Sequence, residues 1–420
     1  MTKIRIYAFV LIFGMGIFGS SFSSFAYSLL THQALIDESW EKSIKPLLKL
    51  KYPGSTEEQL KEAHGYAYGG AIAPDMGYFP FGSKFFTDLV HYVRSGDFVN
   101  ALLDEADSLN EYAFALGFLC HYDADKDGHF LGTNRCVPLT YPKMKKKYGD
   151  FVTYAEDPIS HRRIEFSFDV LQTARGNYAS QAYHDFIGFQ VSRPVLERAF
   201  LKTYGLDLND VFSDLSLAIG AFRWSVKSLF PVLTRAAWVN KRSEISKINP
   251  TASSRNFRYK MHKSDYYREF GKERKKPGIF ANFLAVVIRV LPKIGPLKVL
   301  KYKEPGLMGE KLFVQSFDTA LVHYATTIKV LRSGNINLTN IDFDTGNITR
   351  AGEYPLADKS YGILLVRLQK KNFAHLNKEL KQNILDFYSN DSALAIVQKN
   401  SEDQKEIIES LQEIKLAKTN

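Results

Sequence analysis

Cysteine is scarce in this chain of 420 residues: Cys120 and Cys136 are the only two. They allow one disulfide, so a small fold stapled by several bridges is excluded. No internal repeat of fixed period is present, which argues against a solenoid or propeller. Apolar runs of membrane-spanning length are also missing. The runs at 6–18 and 279–291 both fall short of the roughly 20 residues a helix needs to cross a bilayer. Acidic residues are outnumbered, 45 against 55 Lys and Arg, for a formal net charge of +10. A basic chain is drawn to anionic surfaces such as phospholipid headgroups or nucleic acid, and charge alone does not choose between them. What the sequence does have is apolar bulk. Hydrophobic residues make up 45%, with 31 Phe and 23 Tyr, which supports a large core and excludes bulk disorder.

The first residues read as a secretory signal. Lys3 and Arg5 precede the apolar run, and "GSSFSSFA" follows, with Ser24 and Ala26 at the positions a signal peptidase favours. The expected mature chain begins at Tyr27 and is exported, to the periplasm or beyond the cell. In that compartment Cys120 and Cys136 are expected to form a disulfide.

The stretch "CHYDADKDGHF", 120–130, admits two metal readings. Asp123, Asp125, Asp127 and Gly128 spell the start of a calcium loop, but position twelve is Asn134, where such loops need a bidentate Glu. His121, Asp125 and His129 instead recur every four residues. On a helix, side chains four apart share a face and can converge on one ion. "HRRIEFSFD" repeats the pattern with His161, Glu165 and Asp169. Imidazole with carboxylate is a favoured zinc set. One such pair is usually surface charge. Two within about 45 residues are harder to dismiss, and His32, Asp75 and His91 supply further candidates. Taken singly, each has a plain alternative: a core histidine at His91, a solvated turn at Asp75, and an amphipathic helix running to about Leu50 at His32. The set carries the argument.

That set resembles the zinc-dependent phospholipase C family, which includes the catalytic domain of glycosylphosphatidylinositol-specific phospholipase D. The resemblance runs from His32 to Asp169. It rests on "THQALI", "YAYGGAIAPDMGYFPFGS", "DLVHYVRSGDFV", "AFALGFLCHYDADKDGH", "KYGDFVTY" and "HRRIEFSFD". "IDFDTG" and "GEYPLADKSYGILL" look like later parts of longer members. The resemblance implies an all-α fold with metal ions at the base of a cleft. It implies one zinc on Asp75, His91, His121 and Asp125, and a second on His129, His161 and Glu165. A third would sit on His32, the bridging Asp125 and the mature N-terminus. Members with that N-terminal ligand usually begin with Trp, where Tyr27 stands here, so the expectation is two or three Zn2+ ions. The gap between Asp125 and His129 is shorter than in the best-known secreted members, which a continuous helix would explain. Asp75 is expected to serve both as ligand and as the carboxylate orienting the attacking water. Asp88 and Asp169 are candidates to fix the imidazole tautomers from behind.

Beyond the resemblance the pattern stays helical from about Tyr183 to Trp238 and from about Glu310 to Leu331. Residues 240–278 are polar and basic, a surface excursion or linker. Residues 279–291 read as a buried helix, with a lipid-touching helix as the rival. "INLTNIDFDTG" reads as a short extended segment, and the charged, amphipathic end from Ser401 as a tail that docks or frays. The expected organisation is a signal at 1–26, a catalytic domain at 27–205, a helical C-terminal region at 206–400 packed on it, and a tail at 401–420. The function expected is an exported zinc phosphodiesterase acting on phospholipid, with peripheral contact to a membrane surface and no stable protein partner. A single-strand nuclease of the same fold is the alternative enzyme. Such nucleases generally end the second helical pair in Asp, whereas this chain has Glu165. A non-catalytic module braced by its metals is the alternative outside enzymes.

Overall fold

The computed structural model describes residues 29–248, 301–334, 336–389 and 403–419. The expected signal segment, Tyr27, most of the basic excursion and the apolar run at 279–291 lie outside them. The described residues are helical and contain no strand; a single antiparallel bridge joins Ile341 and Ile348. The main helices are α1 (Leu29–Ser39), α2 (Glu57–Ile72), α3 (Lys84–Tyr92), α4 (Ser95–Asp104), α5 (Leu109–Asp127), α6 (Asn134–Thr140), α7 (Pro158–Arg175), α8 (Arg193–Tyr204), α9 (Phe230–Ile248), α10 (Gly306–Ser333), α11 (Pro355–Lys370), α12 (Lys378–Phe387) and α13 (Asp403–Leu416). Shorter helical turns lie between some of them. Among the described residues no helix is long and apolar enough to cross a membrane.

The centre of the fold is the helix pair α2 and α5, which run in the same direction: Glu62 meets Asn110 near their starts and Ala71 meets His121 further on. Thr56 starts α2 with a reciprocal cap: its hydroxyl accepts from Gln59 N at 3.2 Å, while Gln59 Oε1 accepts from Thr56 N at 2.9 Å. Ser108 caps α5 in the same way at Glu111 N, 3.3 Å. The two helices approach through glycine. A Cβ on Gly70 would lie 1.9 Å from Phe114 O, and one on Gly117 would lie 2.2 Å from Ala67 O. No other residue fits at that separation. One hydrophobic cluster surrounds the pair and runs from Leu29 to Ile414, taking in Ile72, Phe86, Leu119, Phe168, Phe313 and Leu365.

The C-terminal region packs on this centre. Helix α10 lies along α5, where the buried Tyr324 donates from its hydroxyl to Leu116 O at 2.8 Å. The segment read as extended crosses back over α3 and α4. Ser95 Oγ donates to Ile341 O at 2.6 Å, Tyr122 OH donates to Thr339 O at 2.9 Å, and Phe343 N donates to His91 O at 3.1 Å. The tail docks: α13 lies on α11, with Ser410 Oγ donating to Gln369 Oε1 at 2.7 Å and Lys370 paired with Glu406 at 2.7 Å.

The expected disulfide is absent. Cys120 and Cys136 are both free and buried. Burial pushes the Cys120 thiol well up and the Cys136 thiol up to about 12. Cys136 instead faces α10, where a Cβ on Gly309 would come within 2.6 Å of its sulfur. Each thiol is thus a small apolar filler within the core.

Candidate metal centre

All eight candidate ligands converge on one buried site, and none is more than 4% exposed. Different parts of the helical frame deliver them. His32 comes from the first turn of α1, which continues through a wide turn at Trp40–Ile44 into Lys45–Lys51. Asp75 lies in the 3-10 turn Ala73–Tyr78 that extends α2, and His91 in the last turn of α3. His121 and Asp125 share one face of α5, with His121 Nε2 3.0 Å from Asp125 Oδ2. Helix α5 then widens into a π turn, Gly128–Thr133, which carries His129. The helix is therefore continuous past Asp125, as the short spacing suggested. His161 and Glu165 occupy one face of α7.

Two groups of ligands meet at Asp125. In the first, Asp75 Oδ1 and Asp125 Oδ2 lie 3.4 and 3.5 Å from His91 Nε2. His91 and His121 each donate from Nδ1 to a backbone carbonyl, Thr87 O at 2.8 Å and Ala71 O at 2.9 Å. Their Nε2 atoms then face each other at 3.3 Å. Two lone pairs cannot share that space unless a proton or a cation sits with them. On the other side, His32 Nε2 is 3.3 Å from Asp125 Oδ1. In the second group His129 Nε2 lies 3.9 Å from Asp125 Oδ2 and 3.6 Å from Glu165 Oε1, and His161 Nδ1 lies 2.7 Å from Glu165 Oε1.

The donors suit a cation. Asp75 Oδ1, both oxygens of Asp125 and Glu165 Oε2 are buried without a hydrogen-bond partner. Such atoms are costly unless something positive answers them. Among the described residues, three sets have ligand atoms close enough to hold an ion: His32, His121 and Asp125; Asp75, His91 and His121; and His129, His161 and Glu165. Without a cation the carboxylates hold protons on the imidazoles. Burial pushes His91 down, but Asp125 and Asp75 outweigh it and raise it to about 9; Glu165 and Asp344 do the same for His161, again to about 9. Asp125 is held well below the usual carboxylate range, because the charges of His121 and His129 outweigh the cost of its burial.

The calcium-like spelling forms no loop, because Asp123 and Asp127 belong to the last turns of α5. Asp123 pairs with Lys126 at 3.0 Å, and Asp127 with His323 of α10 at 2.7 Å. The two expected tautomer-fixing carboxylates have other partners. Asp88 pairs with Lys84, one turn back on α3, so it is ordinary helix charge. Asp169 accepts from Leu30 N, Thr31 N and Thr31 Oγ1 at 3.0 to 3.1 Å. It anchors the start of α1 and so places His32.

Two residues of the site escaped sequence reasoning. Asn134, noticed only as the wrong residue for calcium, accepts from His161 Nε2 through Oδ1. Asp344, within "IDFDTG", is fully buried against His129 and His161. The only signal for it was that its motif resembled later parts of longer family members.

Residues 31–214 match the family model described as zinc dependent phospholipase C. That stretch belongs to the family. It contains every one of the eight candidate ligands, and the helical fold agrees with the family's all-α architecture. The match supports a hydrolase and implies zinc for that stretch. No curated protein and no solved structure gives a significant match to the chain.

Proposed function

We propose that this chain is an exported zinc phosphodiesterase that hydrolyses phospholipids. The observation that supports it most is the buried cluster of histidines and carboxylates inside a segment of the zinc-dependent phospholipase C family. Asp75, His91, His121 and Asp125 would hold one ion, His129, His161 and Glu165 a second, and His32 with Asp125 Oδ1 a third. Clustered zinc, when bound, lowers the pKa of water and clamps phosphodiester oxygens during in-line displacement.

The protein's own groups do the rest. Asp75 Oδ1 is buried without a hydrogen-bond partner and can accept the proton of an attacking water. Thr87 O and Ala71 O hold the first pair of imidazoles in one tautomer, with Nε2 turned inward. Tyr78 packs against His91 and Tyr154 against His161, and the buried Tyr354 donates to Asp344, so the polar cluster is walled by aromatic rings. Four carboxylates converge here: Asp75, Asp125, Glu165 and Asp344. Two divalent ions would balance them, and a third would leave the excess positive charge that an anionic phosphodiester requires.

The test is zinc analysis of purified protein beside hydrolysis of phosphatidylcholine, phosphatidylinositol and single-stranded DNA. Phospholipid cleavage with zinc bound is expected. Cleavage of DNA alone would replace the substrate, and full zinc with no hydrolysis would make the centre structural. N-terminal sequencing of exported protein should read Tyr27 first.

A further inference from the structure

We propose that Asp344 is the positioning carboxylate for the His129–His161–Glu165 half of the metal centre. Retention of that half's ion would then depend on a segment far outside the family-matched stretch. The proposal rests on the metal-centre reading above and extends it to the C-terminal region.

The geometry separates the two halves. In the first, backbone carbonyls hold the outer nitrogens of His91 and His121. In the second, one carboxylate oxygen stands behind both rings: Asp344 Oδ1 accepts from His129 Nδ1 at 3.2 Å and lies 3.3 Å from His161 Nε2, whose N–H is shared with Asn134 Oδ1. The nitrogens left over, His129 Nε2 and His161 Nδ1, both face Glu165 Oε1. Asp344, directly at His129 and together with Asn134 at His161, therefore sets which nitrogen of each ring can serve as ligand. Its other oxygen accepts from Tyr154 N and from Tyr354 OH, each at 2.8 Å. Asn134 completes the arrangement, donating from Nδ2 to Asp344 O at 2.8 Å while its Oδ1 accepts from His161 Nε2. Both oxygens are committed to groups of the site, and none of their partners is a surface cation. An anion behind an imidazole raises its basicity and fixes its orientation. A backbone carbonyl supplies orientation without the full charge. The second half thus carries a device that the first lacks.

Loss of the device should be visible as loss of one ion. Full-length wild type, Asp344→Asn, Asp342→Asn and Tyr354→Phe would be dialysed against a weak chelator, their zinc counted by elemental analysis, and their cobalt-substituted forms compared by visible absorption. Asp342 controls for loop order: it lies two residues away and accepts from Thr345 N at 2.6 Å. Asp344→Asn is expected to retain one zinc fewer than wild type, with affinity at that position down by about 10–100-fold. It should also lose one component of the cobalt spectrum. Asp342→Asn should keep the wild-type count. Tyr354→Phe should release the same ion several-fold faster, which keeps the test open if Asp344→Asn fails to fold. Wild-type stoichiometry in Asp344→Asn, equal loss in Asp342→Asn, or unchanged release in Tyr354→Phe would each overturn the proposal. A wild-type chain that binds no zinc would overturn the metal-centre reading itself, and this proposal with it.

Discussion

Replacing Gly117 with Ala tests whether the spacing of α2 and α5 controls the metal centre. In an exposed helix this change stabilises by about 1 kcal/mol, because alanine restricts the unfolded chain and favours the helix. Here the new Cβ would stand 2.2 Å from Ala67 O, 2.7 Å from Ala71 N and 2.9 Å from Gly70 Cα. All three are backbone atoms and cannot rotate aside. The helices must part by roughly 0.8 Å to reach the 3.0 Å that real Cβ contacts respect. Overpacking of this kind costs about 1–3 kcal/mol. Set against the propensity gain, a net loss of about 0–2 kcal/mol is expected, a fall of up to a few degrees in Tm.

The same displacement reaches the site. His121 Nδ1 donates to Ala71 O at 2.9 Å. Moved apart by that amount, the pair would sit near 3.7 Å, beyond hydrogen-bonding range. Zinc affinity should then fall by about 10–100-fold although no ligand has changed. Gly220→Ala is the control, because a Cβ there meets nothing within 4 Å and the residue lies in the helix Leu215–Trp224. Thermal melts with and without chelator, and zinc competition with a chromophoric chelator, read both effects. Gly117→Ala melting above wild type with unchanged zinc affinity would refute the reasoning.

Asp125→Asn should lose metal and nearly all activity, while Asp123→Asn, which breaks a pair with Lys126 within α5, and Asp127→Asn, which breaks the contact with His323 of α10, should keep both; equal losses across the three would restore the calcium-loop reading. In metal-free protein His91 and His161 are raised to about 9. A group bound more tightly to its proton when folded contributes stability that is whole below about 6.5 and lost as pH rises through about 9. Melts in chelator should therefore fall across that window, and zinc-loaded protein should not follow; a metal-free melt flat from pH 6.5 to 9.5 would count against the assignment. The two thiols should stay unalkylated in native protein and react fully on unfolding, since both are buried with raised pKa; mass spectrometry showing a linked pair would contradict the structure.

The ligands were legible because metal chemistry restricts residue type and the helix restricts spacing. His121 and Asp125, like His161 and Glu165, could be paired by their separation of four alone. Single residues such as His32 and Asp75 were visible only as members of a set. The carboxylates behind the imidazoles were not legible. Asp88 and Asp169 stood at helical spacing from ligands, yet spacing does not give rotation about the helix axis. Asp88 turns to Lys84, and Asp169 turns to the amides that open α1. Asp344 could not be paired with His129 from sequence, because 215 residues separate them. Only tertiary packing of the segment over α3 and α4 brings them together. The disulfide expectation failed for a similar reason: short separation between two cysteines says nothing about which way their side chains face.

The arrangement of carboxylates couples assembly of the fold to the metal. Each element brings to the centre a group that would be costly to bury by itself. Asp75 and Glu165 arrive with oxygens that find no donor, and Asp125 arrives with two. A metal-free chain must answer these charges with protons on His91 and His161, so it closes most readily at lower pH. A metal-loaded chain answers them with cations and sheds those protons. Zinc and protons therefore compete for one folded state, and metal binding becomes part of the folding free energy. Asp169 extends the coupling to the start of α1, because it ties Leu30 and Thr31 to α7 and so fixes His32 beside Asp125. Asp344 extends it to the C-terminal region through His129 and His161. A cut that removed either end would leave the central helices with buried charge and too few groups to balance it.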